Sequence, residues 1–236
     1  KLVCDKKQQM QTGGLATVAA ASAEFVRSEV VPELDAARMA RLASAVSANA
    51  PDNYKSGVTP TASNIVSKIV EGLDAVSEET GYDEGMTIYV NGGLRTLINR
   101  SSEVGARKII NDSSRSFNSS ILEINGNPIV FVPAKRMYVT FTKQDGYTNA
   151  LSDKTDLKAT DKTKYGWTAS GAPINFAITT PGVANAVTAI NETKYIRGED
   201  SEMFSGDSFM CRIWHDLIVP KNKAVGAFVS VGSVSQ

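Results

Sequence analysis

The sequence predicts an α+β fold, and three observations carry that expectation. Apolar residues recur at helical spacing through roughly the first 80 positions. Beyond them, short β-branched and aromatic runs take over, and two of these flank Asn125-Gly126, a pair suited to a tight hairpin turn. Helical and strand segments do not alternate regularly, so the pattern is not that of a doubly wound sheet.

The first helical signal follows TGG at 12–14. Leu15, Val18, Phe25, Val26 and Val30 recur on an alanine-rich background, which favours a long helix. Pro32 has no backbone N–H to donate, so a kink or short break is expected at 31–32. A second helix follows, with Leu34, Met39, Leu42 and Val46 on one face. Residues 49–60 are rich in turn formers and read as a connection. Thr61 or Ser63 is placed to cap a third helix, whose stripe is Ile65, Ile69, Leu73 and Val76 and whose stop is Gly81.

MTIYV at 86–90 reads as a strand, and 92–100 as a short helix after it. Residues 120–133 form the hairpin around Asn125-Gly126, and RMYVTF continues as strand. The segment 143–164 contains almost no large apolar residue. It cannot bury enough surface to join a core and is expected to be a solvated loop. INFAIT at 174–179 is a strand, residues 181–195 are expected to be a helix, and FMCRIWHDLIV and AVGAFVSV are closing strands joined by the turn PKNK.

Composition narrows the function classes. A chain of 236 residues, 42% hydrophobic and 21% charged, can bury a substantial core as one large or two small domains. Twenty-five basic and 25 acidic side chains cancel, so no global field favours nucleic acid or an anionic membrane. No stretch approaches the roughly 20 apolar residues of a membrane helix, and the opening residues do not form a signal peptide. Cys4 and Cys211 belong to no metal-ligand cluster or disulfide framework. Residue 1 is Lys, so a processed chain or part of a longer one is expected.

The stretch 205–223 holds Ser208, Cys211 and His215, the chain's one histidine, and invites a catalytic reading. In a strand, four residues separate Cys211 from His215 by roughly 13 Å, too far for a hydrogen-bonded dyad. Gly206-Asp207-Ser208 resembles the nucleophile string of GDS-type esterases, with Ser208 as nucleophile. Those enzymes need aspartate three residues before the histidine, and position 212 is Arg. His215, between Trp214 and Asp216, reads as a structural residue of a strand. The acidic group Glu78, Glu79, Asp83 and Glu84 surrounds a helix end without calcium-loop spacing. Asp153, Asp156 and Asp161 alternate with lysines and read as a salt-laced loop. Asn118 and Asn191 match the glycosylation pattern, which has no meaning in a chain without an export signal. No phosphate loop or dinucleotide fingerprint is present. No catalytic residue, cofactor or metal ligand is therefore assigned.

Four ordered blocks resemble the major capsid proteins of tailed bacteriophages with the HK97 fold, prophage-encoded members included. They are FVRSEVVPELDAARMARLA at 25–43, INGNPIVFVPAKRM at 124–137, APINFAIT followed by a helix, and FMCRIWHDLIVPKNKAVGAFV at 209–229. The resemblance implies an HK97-like capsid fold with a long spine helix, a peripheral β domain and an axial α/β domain. It places the end of an extended loop, the spine helix and a connection in 1–60, most of the axial domain in 61–205, and a returning peripheral strand with a closing axial strand in 206–236. An N-terminal arm and most of the extended loop would precede the first residue.

By the same resemblance, the function is that of a structural subunit, not an enzyme. Copies would self-assemble as pentamers and hexamers into an icosahedral shell around double-stranded DNA, contacted weakly. Scaffold, portal and decoration proteins are partners, no membrane is involved, and assembly takes place in the bacterial cytoplasm to give the virion capsid. The residues carrying the blocks, Pro32, Glu33, Asp35, Arg38, Arg136, Arg212, His215, Asp216 and Lys223, become interface or structural candidates. His215 and Asp216 are expected near a subunit contact, and segment 143–164 at a capsomer contact or the exterior. Alternatives are an encapsulin-like nanocompartment shell protein, which shares the fold, and the esterase built on Ser208.

Overall fold

A computed structural model of the chain describes residues 2–5, 18–101, 123–145, 165–196 and 206–233. By internal contacts it divides into two units, Lys1–Asp35 with Ala186–Ile218, and Ala36–Asn185 with Val219–Gln236. The expected polar segment lies outside the described residues from 146 to 164, together with Asp153, Asp156 and Asp161. So do Leu15, Asn118 and residues 120–122. Residues 143–145, expected in that loop, belong to a strand.

The first unit holds strand β1 (Leu2–Asp5), helix α1 (Val18–Phe25), a π-helical stretch Val26–Val30 and the start of helix α2 (Val31–Asn49). Pro32 leaves the helix unbroken, contrary to the expected break at 31–32. The irregularity sits one turn earlier, where the pyrrolidine ring would crowd the carbonyl four residues before it, and the wider π turn relieves that clash. Strands β8 (Asn185–Ile196) and β9 (Gly206–Ile218) complete this unit in a three-stranded sheet of order β1-β9-β8. β8 corrects the helix expected over 181–195. Val187, Thr188, Ile190, Thr193 and Tyr195 are β-branched or aromatic, and such side chains lose rotamer freedom in a helix but fit a pleated surface. Ala184, Ala186 and Ala189 between them made the segment look more helical than it is.

The second unit is built on strands β2 (Tyr54–Lys55), β3 (Thr87–Asn91), β4 (Glu123–Ile124), β5 (Asn127–Val132), β6 (Tyr138–Asp145), β7 (Tyr165–Thr179) and β10 (Ala227–Val231). Their order is β2-β10-β7-β3-β5-β4, with β6 pairing β7 off this path. β7 does two jobs: its first half forms an antiparallel ribbon with β6, and its second half lies between β10 and β3. All of β10 is buried, which its nearly continuous apolar sequence reflects. Asn125 and Gly126 make the two-residue turn between β4 and β5 with φ of 49° and 75°, as the hairpin signal requires.

Helix α3 (Ile65–Thr80) lays Ile65, Ile69, Leu73 and Val76 onto this sheet, against Ile88, Val90, Phe176, Ile178 and Phe228. The stripe is the one its spacing predicts. At Gly72 the helix lies so close that an added Cβ would stand 2.9 Å from Ile178 Cδ1 and 3.0 Å from a Phe228 ring carbon. Gly81 ends it in the left-handed conformation, its N–H bonded to the Ser77 carbonyl at 2.7 Å. The expected caps are corrected: the Thr61 and Ser63 hydroxyls bond each other, and Asn64 is the N-cap residue, accepting from the Thr61 N–H. Helix α2 buries Ala36, Ala40, Leu42, Ala43 and Val46, so alanines supply much of the face expected from Leu34 and Met39. Residues 92–94 form a 3-10 turn leading into helix α4 (Arg95–Arg100), and PKNK opens a 3-10 helix, Lys221–Gly226.

Asn127 ties the hairpin to the start of β3. It is fully buried, accepts from the Met86 N–H at 2.8 Å, and donates to the carbonyls of Asn125 and Asp83 at 3.1 and 3.3 Å. Replacing it with leucine strands the Met86 donor without water. We expect Asn127→Leu to lower unfolding stability by about 1–3 kcal/mol in urea titration; an unchanged midpoint would show the network to be dispensable.

Candidate assembly surfaces

Strand period places Met210, Arg212, Trp214, Asp216 and Ile218 on one side of β9, and Ile213, His215 and Leu217 on the other. The first side is open: Met210, Trp214 and Ile218 are 44%, 56% and 49% exposed. The Arg212 guanidinium stands 5.3 Å from the Trp214 ring centroid, a cation–π contact between same-side neighbours. Asp216 accepts the Leu217 N–H at 2.7 Å. His215 is half-buried on the opposite side, so the two neighbours point away from each other. Ser208 occupies a ladder position opposite Val3, within the strand. Cys211 and His215 are four residues apart along the same strand.

Most exposed large apolar side chains of the described residues belong to this unit: Phe25, Val31, Val187 and Tyr195 join the three on β9. Leu217, on the other side of β9, is buried. Exposed apolar side chains gathered on one unit are of the kind that partner chains cover.

The other sequence-derived candidates do not form one cluster. Pro32, Glu33, Asp35 and Arg38 share α2, with Glu33, Asp35 and Arg38 half-buried. Arg136 is half-buried in the 3-10 turn after β5, and Lys223 is exposed in the 3-10 helix before β10. Of the acidic group, Ser77 Oγ donates to Asp83, and the described residues contain no group of three or more His, Cys, Asp or Glu disposed to hold a metal.

The second unit carries a groove of about 630 Å³ between α3 and residues 52–58. Its wall is pinned by buried amides: Asn53 donates to the Val225 carbonyl at 2.8 Å and Asn175 to that of Val58 at 2.9 Å. Phe176 and Phe228, stacked at 5.9 Å, and Ser230 line its floor. Composition gave no hint of this groove, because it is assembled from four distant segments. Trp214 could have been found: it alternates with Met210, Arg212 and Ile218 on a strand whose other side is also largely apolar.

Neither a protein-family model nor a curated protein matches the sequence. Solved structures do. A chain of the capsid structure of the cyanophage P-SCSP1u superposes with a TM-score of 0.59 at 10% identity, over 99% of this chain and 71% of that one. A chain of a structure of Mycobacterium phage Che8 gives 0.57 at 14% identity, over 97% and 68%. The chain has a phage capsid fold. Coverage is nearly complete, so this capsid fold includes both units and the β8 segment that the sequence misassigned. No helix of the described residues is long and apolar enough to cross a membrane.

Proposed function

We propose that the chain is a structural subunit of an icosahedral phage shell. Copies associate as pentamers and hexamers, enclose double-stranded DNA, and do no chemistry. The observation that carries this reading is the near-complete superposition on a chain of a cyanophage capsid structure. The exposed apolar side chains of the first unit support it independently, since apolar faces exposed on an isolated subunit are covered when subunits tile.

In this reading the first unit is the peripheral domain, the second unit is the axial domain, and α1 with α2, which runs from the first unit into the second, is the spine helix. Pro32, Glu33, Asp35 and Arg38 brace the spine, while Arg212, His215 and Asp216 ride the returning peripheral strand. Arg136 and Lys223 serve turns of the axial domain. A net charge of zero suits a wall that holds packaged DNA without gripping it. Scaffold, portal and decoration proteins are the partners, the bacterial cytoplasm is the place of assembly, and the virion is the destination.

Sedimentation velocity of the full-length protein, expressed with its genomic neighbours, tests this. A discrete, fast-sedimenting particle is expected. A monomer persisting at high concentration would overturn the reading.

A further inference from the structure

The groove in the second unit is more than a surface dent. Ser230 is 1% exposed, lies on the same side of β10 as Phe228, and its Oγ has no hydrogen-bond partner among the described residues. A buried hydroxyl without a partner is destabilising, so Ser230 Oγ is a site where an incoming donor would be favoured. The rim is net acidic. Lys68 is neutralised by Glu71 at 2.7 Å, and the remaining charges are Asp52, Glu78 and Glu79 against Lys55.

The same chain exposes the complementary group. Trp214 offers a large apolar face and one N–H donor, and the Arg212 cation is already stacked on it. We infer that the groove seats the Arg212–Trp214 pair of a second copy of this chain. The indole enters the groove between α3 and residues 52–58 and donates its N–H to Ser230 Oγ, which a χ1 rotation of the serine brings round. The guanidinium meets Glu78 and Glu79. A groove on one copy filled by a strand of the next is a heterologous contact, the type that closes rings of subunits. The inference rests on the shell-subunit reading and adds to it the identity of one contact.

Cysteine cross-linking between copies tests it. In full-length chains with Cys4 and Cys211 changed to serine, one population carries Glu79→Cys and a second carries Arg212→Cys; the two are mixed before assembly and oxidised. A disulfide-linked dimer on a non-reducing gel is expected, and is not expected when Val130→Cys replaces Glu79→Cys. Arg212→Glu should block assembly, and Glu78→Lys with Glu79→Lys should restore it. Ser230→Ala should raise the concentration needed for assembly about tenfold, the loss of roughly one well-made hydrogen bond. Shells that form without the cross-link or the charge-swap rescue would overturn this contact and leave the shell reading intact. A neutral Ser230→Ala would mean that water fills the groove floor, and would also overturn it. Wild-type protein that forms no shells would overturn both.

Discussion

Replacing Phe176 with alanine is expected to lower the unfolding stability of the second unit by about 3–5 kcal/mol. Phe176 is 1% exposed and stacks on Phe228 at 5.9 Å with an interplanar angle of 11°. It also packs among Ile65, Ile69, Leu73, Ile88 and Ile178, where α3 meets the sheet. Removing the ring loses its transfer free energy and leaves a cavity that Gly72 cannot fill, because the helix is already at contact distance there. Marginally stable domains have only about 5–15 kcal/mol in total, so much of the unit's stability would go. Urea unfolding followed by circular dichroism measures it. A loss below about 1 kcal/mol would mean that α3 and the sheet collapse to close the gap, and that the core is less rigidly packed than these contacts imply.

The opposite result is expected on the first unit. Changing Met210, Trp214 and Ile218 together to serine should alter unfolding stability by no more than about 0.5 kcal/mol per substitution, because each is exposed in the isolated subunit. Assembly should be abolished. Interfaces draw most of their energy from a few anchors, Trp prominent among them, at about 2 kcal/mol or more each, and a shell repeats the loss at every subunit. Light scattering of the variant beside the wild type separates the two effects. A variant that assembles normally would show that this face of β9 is not an interface. One that unfolds would show that the face packs within its own subunit.

Much of the second unit was legible in the sequence because its signals are local. The stripe of α3 and its Gly81 stop, the Asn125-Gly126 turn and the buried run of β10 each follow from a few adjacent residues whose preferences agree with the fold. The misreadings fall where local preference and context diverge. Over 181–195, alanine outweighed the β-branched residues in a helical reading, while pairing into a sheet decided for a strand. At Pro32 the missing donor was recognised, but the chain absorbs it in a π turn one turn earlier instead of breaking.

The site was legible in part. The strand expected over FMCRIWHDLIV is present as β9 and carries Cys211 and His215 four residues apart; the Arg212–Trp214 contact on one side of it follows from the same period but was not drawn from the sequence. That period also implies that adjacent His215 and Asp216 face opposite ways, which the ordered sequence blocks did not bring out. The groove was beyond reach, because Ser230 acquires its meaning from Phe176, 54 positions away in sequence and directly opposite it in the ladder.

The central claim is that this chain builds a closed shell. Electron microscopy of the full-length protein, expressed with its genomic neighbours and imaged in negative stain, addresses it most directly. Hollow particles of uniform diameter with icosahedral symmetry are the predicted result, and a field of dispersed, folded monomers at high protein concentration would contradict it.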